Sequence, residues 1–353
     1  MSHPYEAELK IAQLAVQRAV LLTKRVLPMD DKGTVEKSDE SEVTIADLAA
    51  QALLISAIHH NFPSDVFIAE ESADLLRQDP RLRKRVWELV SSTHLEHSEG
   101  EGLLYTPSSQ EEMLDTTDLG SYHPGGVEGR IWMLDPIDGT LTFLRGQQFA
   151  VCLSLVEDGQ EEVGVLGCPN LILEAGKASE NQVDKEGYGL MLSAVRGHGA
   201  SVTQLSSGSL SPPRRIERKT VTELQDLSFV DDTISTLTNS EHHRLLAEKL
   251  GAPWPGTDLF SQQMKYVALA IGGCDVMVRL PRESWHRAAV WDHAGGHLIF
   301  TESGGKVTDE NGLEFDFGAG RRLYRNFGAV AAPVGVHDRV LELVKEILGG
   351  SEG

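Results

Sequence analysis

The chain has 353 residues, 41% hydrophobic and 24% charged, the composition of an ordinary globular protein with length for about two domains and no need of disulfide staples. Lys and Arg total 32 against 53 Asp and Glu, a net charge of −21. Such a surface repels phosphate backbones and anionic lipid, which argues against nucleic acid or a membrane as partner, and no run approaches the ~18 apolar residues of a transmembrane helix.

From Tyr5 to Leu27 the apolar residues Leu9, Ala12, Val16 and Val20 recur on one helical face, with Lys24 and Arg25 in the last turn and Pro28 as the stop. Thr44–His60 reads as a second helix. Asn61–Asp65 is a loop, and Val66–Ala69 a short strand ending in Glu70-Glu71. From about Ser91 to Arg130 the pattern gives way to turn chemistry, expected as a long surface excursion with one short helix near Glu111. Ile131–Leu134 is a buried strand leading into Asp135. Phe149–Val156 and Val163–Leu166 are strands joined by an Asp158-Gly159 turn. Ser206–Arg215 is the best linker, dividing an N-terminal domain (1–205) from a C-terminal one (206–353). Helices follow at about Glu241–Leu250, Gln263–Ile271 and Ala288–Glu302, with a strand at Val276–Leu280, a hairpin from Val307 and a last helix over Val336–Leu348. Interleaved strands and helices in both halves imply an α/β (α+β) fold.

Cys152, Cys168 and Cys274 are widely spaced and in no C-x-x-C pair, so they read as reduced core residues. The N-terminus lacks a basic-then-apolar leader, and a cytoplasmic location is expected.

No P-loop, dinucleotide fingerprint, nucleophile elbow or H-E-x-x-H motif is present. The most informative segment is Leu134-Asp135-Pro136-Ile137-Asp138-Gly139-Thr140. Two carboxylates three residues apart follow a buried strand. Pro136 restricts the backbone, and Gly139 permits close approach to a ligand. Acids so close repel unless a proton or cation lies between them, and oxygen-only donors select a hard cation such as Mg²⁺. Three further acidic positions, Glu70-Glu71, Asp47 and Asp292, each have an ordinary explanation: a solvated strand end, an exposed helix acid and a helix N-cap. His293 and His297, four apart, have a spacing that could chelate zinc, although a core-facing helix is the simpler reading. His59-His60 and His242-His243 read as exposed helix residues, Trp132 and Trp291 as core, and Arg214-Arg215 with Arg218 and Lys219 as a solvated basic cluster. Arg145 could face a carboxylate or a phosphate.

Taken together, V-T-I-A-D-L-A-A-Q-A-L-L, I-A-E-E-S, W-M-L-D-P-I-D-G-T, F-L-R-G-Q-Q-F-A-V-C-L, G-C-P-N-L, A-V-R-G-H-G-A and W-D-H-A-G-G with E-S-G-G downstream resemble, in order, the magnesium-dependent, lithium-sensitive phosphatase superfamily that includes inositol monophosphatase, and within it the bisphosphate nucleotidase branch. The resemblance implies a layered αβαβα fold with two subdomains and a phosphatase acting on a small phosphorylated substrate, adenosine 3',5'-bisphosphate in that branch. It implies Glu70, Asp135, Asp138 and Asp292, with the Ile137 carbonyl, as ligands of two or three Mg²⁺ ions. It further implies that Asp47 and Thr140 position and deprotonate the attacking water, and that the Gly139–Thr140 backbone holds phosphate. Gln262, Lys265 and Arg279 would contact substrate. Lithium inhibition and a monomer or homodimer are expected with it. The nucleoside-recognition segments match less well. Gln262 stands where the branch has Ser, with Ser261 one place earlier; its Gly-His loop has no counterpart in Val230–Ser235; Leu141-Thr142 replaces its Lys-Gly. Two alternatives therefore stay open: the same chemistry on another phosphorylated metabolite, such as an inositol phosphate, or a catalytically idle scaffold.

Overall fold

The structure, a computed structural model, describes residues 4–37, 42–174, 176–217, 223–233, 235–283 and 285–350. Its helices are α1 (Glu6–Val26), α2 (Ile45–Asn61), α3 (Asp74–Gln78), α4 (Pro80–Ser92), α5 (Ser98–Glu101), α6 (Gln110–Asp118), α7 (Thr140–Leu144), α8 (Ser240–Leu250), α9 (Gln262–Ala270), α10 (Ala294–Glu302) and α11 (Val334–Gly350). Its strands are β1 (Val35–Glu36), β2 (Glu42–Val43), β3 (Val66–Ala69), β4 (Arg130–Asp138), β5 (Ala150–Glu157), β6 (Gln160–Cys168), β7 (Leu190–Val195), β8 (Gly199–Gln204), β9 (Arg214–Arg215), β10 (Val230–Asp231), β11 (Thr257–Asp258), β12 (Met277–Arg279), β13 (Gly305–Thr308) and β14 (Ala329–Pro333).

Strands β3 to β9 form one seven-stranded sheet in sequence order, antiparallel except for the β3–β4 pair. Period-two alternation in β4 decides what each face buries. Trp132 and Leu134 face the core under α1 and α2, whereas Ile131 and Met133 face the core under α9 and α10. Beyond α10 lies the three-stranded sheet β12-β14-β13, whose outer face is covered by α8 and α11. The order helix, sheet, helix, sheet, helix is the expected αβαβα layering. Gly296 lets α10 meet α9 closely, because a Cβ there would lie 2.6 Å from that of Tyr266.

Local departures have physical causes. Residues 91–130 contain α5 and α6 rather than one short helix, and the excursion is tied to the core. The buried Arg18 guanidinium donates to Glu101 (3.2 Å), Thr106 (3.1 Å) and the Tyr105 carbonyl (2.8 Å). Helix α4 was signalled by an N-cap Asp79 followed by Pro80, a pairing easy to overlook beside an Arg-rich polar face. The α10 helix begins at Ala294, six residues later than expected. The expected linker contributes β9 to the sheet edge, pairing with Ser201 and Val202. His243 is fully buried instead of exposed, because its Nδ1 pairs with Asp231 at 2.8 Å. Arg214 and Arg215 are exposed as expected, while Arg218 and Lys219 lie outside the described residues. Trp132 is fully buried, its Nε1 donating to Asp65; Trp291 is half-buried beneath Arg321.

Candidate active site

The site begins where β4 outlasts its regular pairing. The register with β5 jumps from Asp135–Cys152 to Asp138–Ala150, so three residues of β4 advance while β5 advances two. That bulge accommodates Pro136 inside a central strand and turns both acids toward the C-terminal end of β4. The Asp135 Oδ1 accepts the Ile137 N–H at 3.0 Å. Gly139, at φ +94°, reverses the chain into α7, and a Cβ there would lie 2.5 Å from the Thr142 hydroxyl. Thr140, the first residue of α7, thereby faces Asp47.

Asp47 is no exposed helix acid. It is fully buried in a capping box at the start of α2, where one carboxylate oxygen accepts the Thr44 N–H (2.9 Å) and hydroxyl (2.5 Å). The other oxygen lies 3.3 Å from the Thr140 hydroxyl, which is also 3.4 Å from the Ile137 carbonyl. Asp138 is held by α9. Its Oδ2 accepts the Gln263 N–H at 2.7 Å and the Ser261 hydroxyl, while Ser261 also caps α9 by accepting the Met264 N–H at 3.1 Å. Asp292 does not cap α10: His293 occupies the cap position without a side-chain cap bond, and the Gly296 N–H in the first turn donates instead to the Gln263 side-chain oxygen at 2.9 Å. One oxygen each from Asp135, Asp138 and Asp292 lies within 4.8 Å of the others.

Burial raises every member of this group. Asp47 is pushed up to about 7 by burial, despite the Thr44 hydrogen bonds that favour its ionised form, and Asp292 to about 7 by burial and the charge of Asp138. Burial and then Glu70 and Asp138 hold Asp135 well above the carboxylate range. Asp138 is raised by burial, against the stabilising Ser261 and Gln263 donors. Several carboxylates this close cannot all ionise alone, and an all-oxygen donor set of this charge fits a hard divalent cation. Glu70 stands at the rim, outside the three-acid cluster, yet its charge acts on Asp47, Asp135, Asp138 and Asp292. Glu70 and Glu71 are not a freely solvated strand end: Lys37 bonds both, at 3.0 and 2.8 Å, and Glu71 is buried.

A cavity of about 220 Å³ opens from Asp138 and Asp292 toward Gln262, Lys265 and Arg279. It adjoins a more open cleft of about 500 Å³ past Glu70, Thr140 and Arg145, the two sharing Gly139 and Phe260. Arg279 donates to the Gln262 side-chain carbonyl at 3.3 Å. Lys265 is buried, and burial followed by the nearby Arg279 lowers its ammonium pKa. Asp231 and Asp232 line the same cavity; Ile234, in that loop, lies outside the described residues. Arg145 has no carboxylate partner among the described residues and faces the cleft. The two helix histidines do not converge: His293 meets the Tyr266 hydroxyl at 2.8 Å and His297 pairs with Glu161. Sequence reasoning passed over Lys37, Asp231 and the role of Ser261 toward Asp138. The available signal for Ser261 was a small hydroxyl residue before a helix.

The model of the inositol monophosphatase family matches residues 5–348, and the chain belongs to that family, as an enzyme of phosphatase type. Its relatives are narrower in kind. The 3'(2'),5'-bisphosphate nucleotidase of Emericella nidulans is 44% identical over 350 residues, covering 98% of this chain and 99% of that protein. The 3'(2'),5'-bisphosphate nucleotidase of Schizosaccharomyces pombe is 39% identical over 343 residues, covering 96% and 95%. Among solved structures, 2'AMP-bound SaIMPase-II superposes with a TM-score of 0.60 at 17% identity, covering 97% of this chain and 95% of its own, which shows the shared fold.

Proposed function

We propose that the chain hydrolyses the 3'-phosphate of adenosine 3',5'-bisphosphate, yielding AMP and inorganic phosphate. The observation that carries this reading is the convergence of Asp135, Asp138 and Asp292 beside the Thr140–Asp47 pair. Similarity to bisphosphate nucleotidases over nearly the whole chain, at 44% and 39% identity, supports the choice of substrate.

Asp135, Asp138 and Asp292, with Glu70 and the Ile137 carbonyl, would hold two or three Mg²⁺ ions. When bound, these ions lower the pKa of water and neutralise charge on the phosphoryl and leaving oxygens. The chain's own residues do the rest. The Thr140 hydroxyl orients the attacking water, and the Asp47 oxygen that faces Thr140 accepts the proton, relayed through that hydroxyl. The second Asp47 oxygen is anchored by Thr44, so the acceptor is fixed in direction before substrate arrives. The Gly139–Thr140 backbone holds the scissile phosphate. Water attacks phosphorus, the P–O bond to the ribose 3'-oxygen breaks, and that oxygen takes a proton from a solvent water to leave as the hydroxyl of AMP. Gln262, Lys265 and Arg279 receive the remainder of the nucleotide, the two cations suiting its second phosphate. Lithium inhibition, a cytoplasmic location, a monomer or homodimer, and a division into residues 1–205 and 206–353 belong to the same reading. No helix among the described residues is long and apolar enough to cross a membrane.

One observation favours a second reading. Asp231 and Asp232 share the inner cavity with Lys265 and Arg279, so its charge is mixed, as suits a different phosphorylated metabolite. Phosphate release measured across adenosine 3',5'-bisphosphate, 2'-AMP, 3'-AMP and inositol 1-phosphate decides. The bisphosphate should give the highest kcat/KM by about tenfold or more, the scale of one good recognition contact. A higher value for another substrate transfers the reading to it, and no turnover of any of them overturns it.

A further inference from the structure

Lys37 follows β1 and reaches across to the strand end at β3. Its ammonium lies 3.0 Å from an oxygen of Glu70 and 2.8 Å from an oxygen of Glu71. Among the described residues it is the only cation bonded to either carboxylate. Glu71 is 3% exposed, and a buried carboxylate needs a counter-charge or a proton. Its backbone is fixed as well: Gln51 accepts the Glu71 N–H at 3.0 Å and donates to its carbonyl at 2.7 Å. Glu71 therefore holds Lys37 from a rigid position. Glu70 is the more exposed partner, its side chain 23% accessible, and it faces the cleft.

We propose that Lys37 is a tethered cation that competes with the divalent ion for Glu70, so that metal loading requires its ammonium to give up Glu70 while keeping Glu71. The inference rests on Glu70 being a metal ligand, as read above. A single ammonium cannot replace a divalent ion among Asp135, Asp138 and Asp292, since it reaches none of them. It satisfies only the rim. Lys37 thus acts through Glu70 and is a positioning residue. It keeps that carboxylate aimed and compensated without metal, and sets how readily metal takes it.

The test is isothermal titration of Mg²⁺ into the metal-stripped wild type, Lys37→Met, Lys37→Arg and the charge-balanced Lys37→Met/Glu71→Gln, with Asp138→Asn as a check on the metal site. Lys37→Met should bind Mg²⁺ about fivefold or more tightly, as removal of one close charge predicts, and Lys37→Arg like wild type. The double variant should also bind more tightly than wild type, because competition for Glu70 is gone although the net charge is unchanged; it serves as well if Lys37→Met fails to fold. A second readout is the melting temperature. Lys37→Met should melt lower than wild type in chelator and gain more on adding Mg²⁺. Unchanged or weaker Mg²⁺ binding in both Lys37→Met and the double variant overturns the proposal while leaving the metal site standing. Wild type that binds no Mg²⁺, or binds it as well after Asp138→Asn, overturns the metal assignment and this proposal together.

Discussion

The two walls of the cleft are built differently. The acidic wall draws Asp135 and Asp138 from the bulged end of β4, Thr140 from the start of α7 and Asp47 from α2, and each of the three carboxylates is fixed by a bond within the fold: Asp135 to Ile137, Asp138 to α9, Asp47 to Thr44. The opposite wall draws Asp231, Gln262, Lys265 and Arg279 from β10, α9 and β12, and combines charges of both signs. Rigid like-charged oxygens are costly to a fold without a cation, so the first wall specifies a chemistry. A wall of mixed charge assembled from separate elements tolerates change without loss of that chemistry, and we propose that substrate choice resides there.

The two walls should differ most visibly under substitution, with the acidic one the more sensitive. Asp138→Asn should lower kcat by about a thousandfold or more, since on the proposed reading it removes a metal ligand that no neighbour replaces, with circular dichroism unchanged. Near-normal turnover would remove Asp138 from the machinery. Asp47→Asn keeps the shape but removes the proposed proton acceptor, and a loss of about a hundredfold in kcat is expected, read by steady-state phosphate release. On the opposite wall, Arg279→Gln should raise KM by about tenfold and leave kcat within a factor of about two, the signature of lost ground-state binding. A fall in kcat alone would place Arg279 with the acidic wall instead.

The smallest expected effect concerns pH. Asp47 and Asp292 are raised to about 7 in the metal-free fold, and Glu71 to about 8, by burial first and then by neighbouring acids. A carboxyl raised above its unfolded value near 4 binds more protons folded than unfolded across that window, so its stabilising contribution is complete at low pH and lost as pH rises toward 7 or 8. In chelator, the melting temperature should therefore fall between pH 5 and pH 8, measured by scanning fluorimetry, and Mg²⁺ should flatten the slope. A melting temperature that climbs over this interval in chelator would contradict the uncompensated charge ascribed to the cleft.

The acidic wall was largely legible because its central part is local. The spacing of Asp135, Asp138, Gly139 and Thr140 puts them in one turn whatever the surrounding topology. Asp292 could be placed only by resemblance, since 154 residues of chain separate it from Asp138. The strand's continuation through Pro136 was hidden because proline ordinarily ends a central strand, and only the bulge opposite Cys152 and Ala150 admits it. Pairings such as Ser261 with Asp138 or His243 with Asp231 leave no periodic trace, so a polar residue that reads as a cap or a solvated face becomes a buried partner only once the layers pack.

On the proposed reading, carboxylates from distant parts of the chain form one cation cage beside Thr140. Crystals soaked in Mn²⁺, with anomalous scattering recorded at the manganese edge, test it most directly. A peak within coordination distance of Asp135, Asp138 and Asp292 is predicted, and strong manganese peaks elsewhere with none among those three would contradict it.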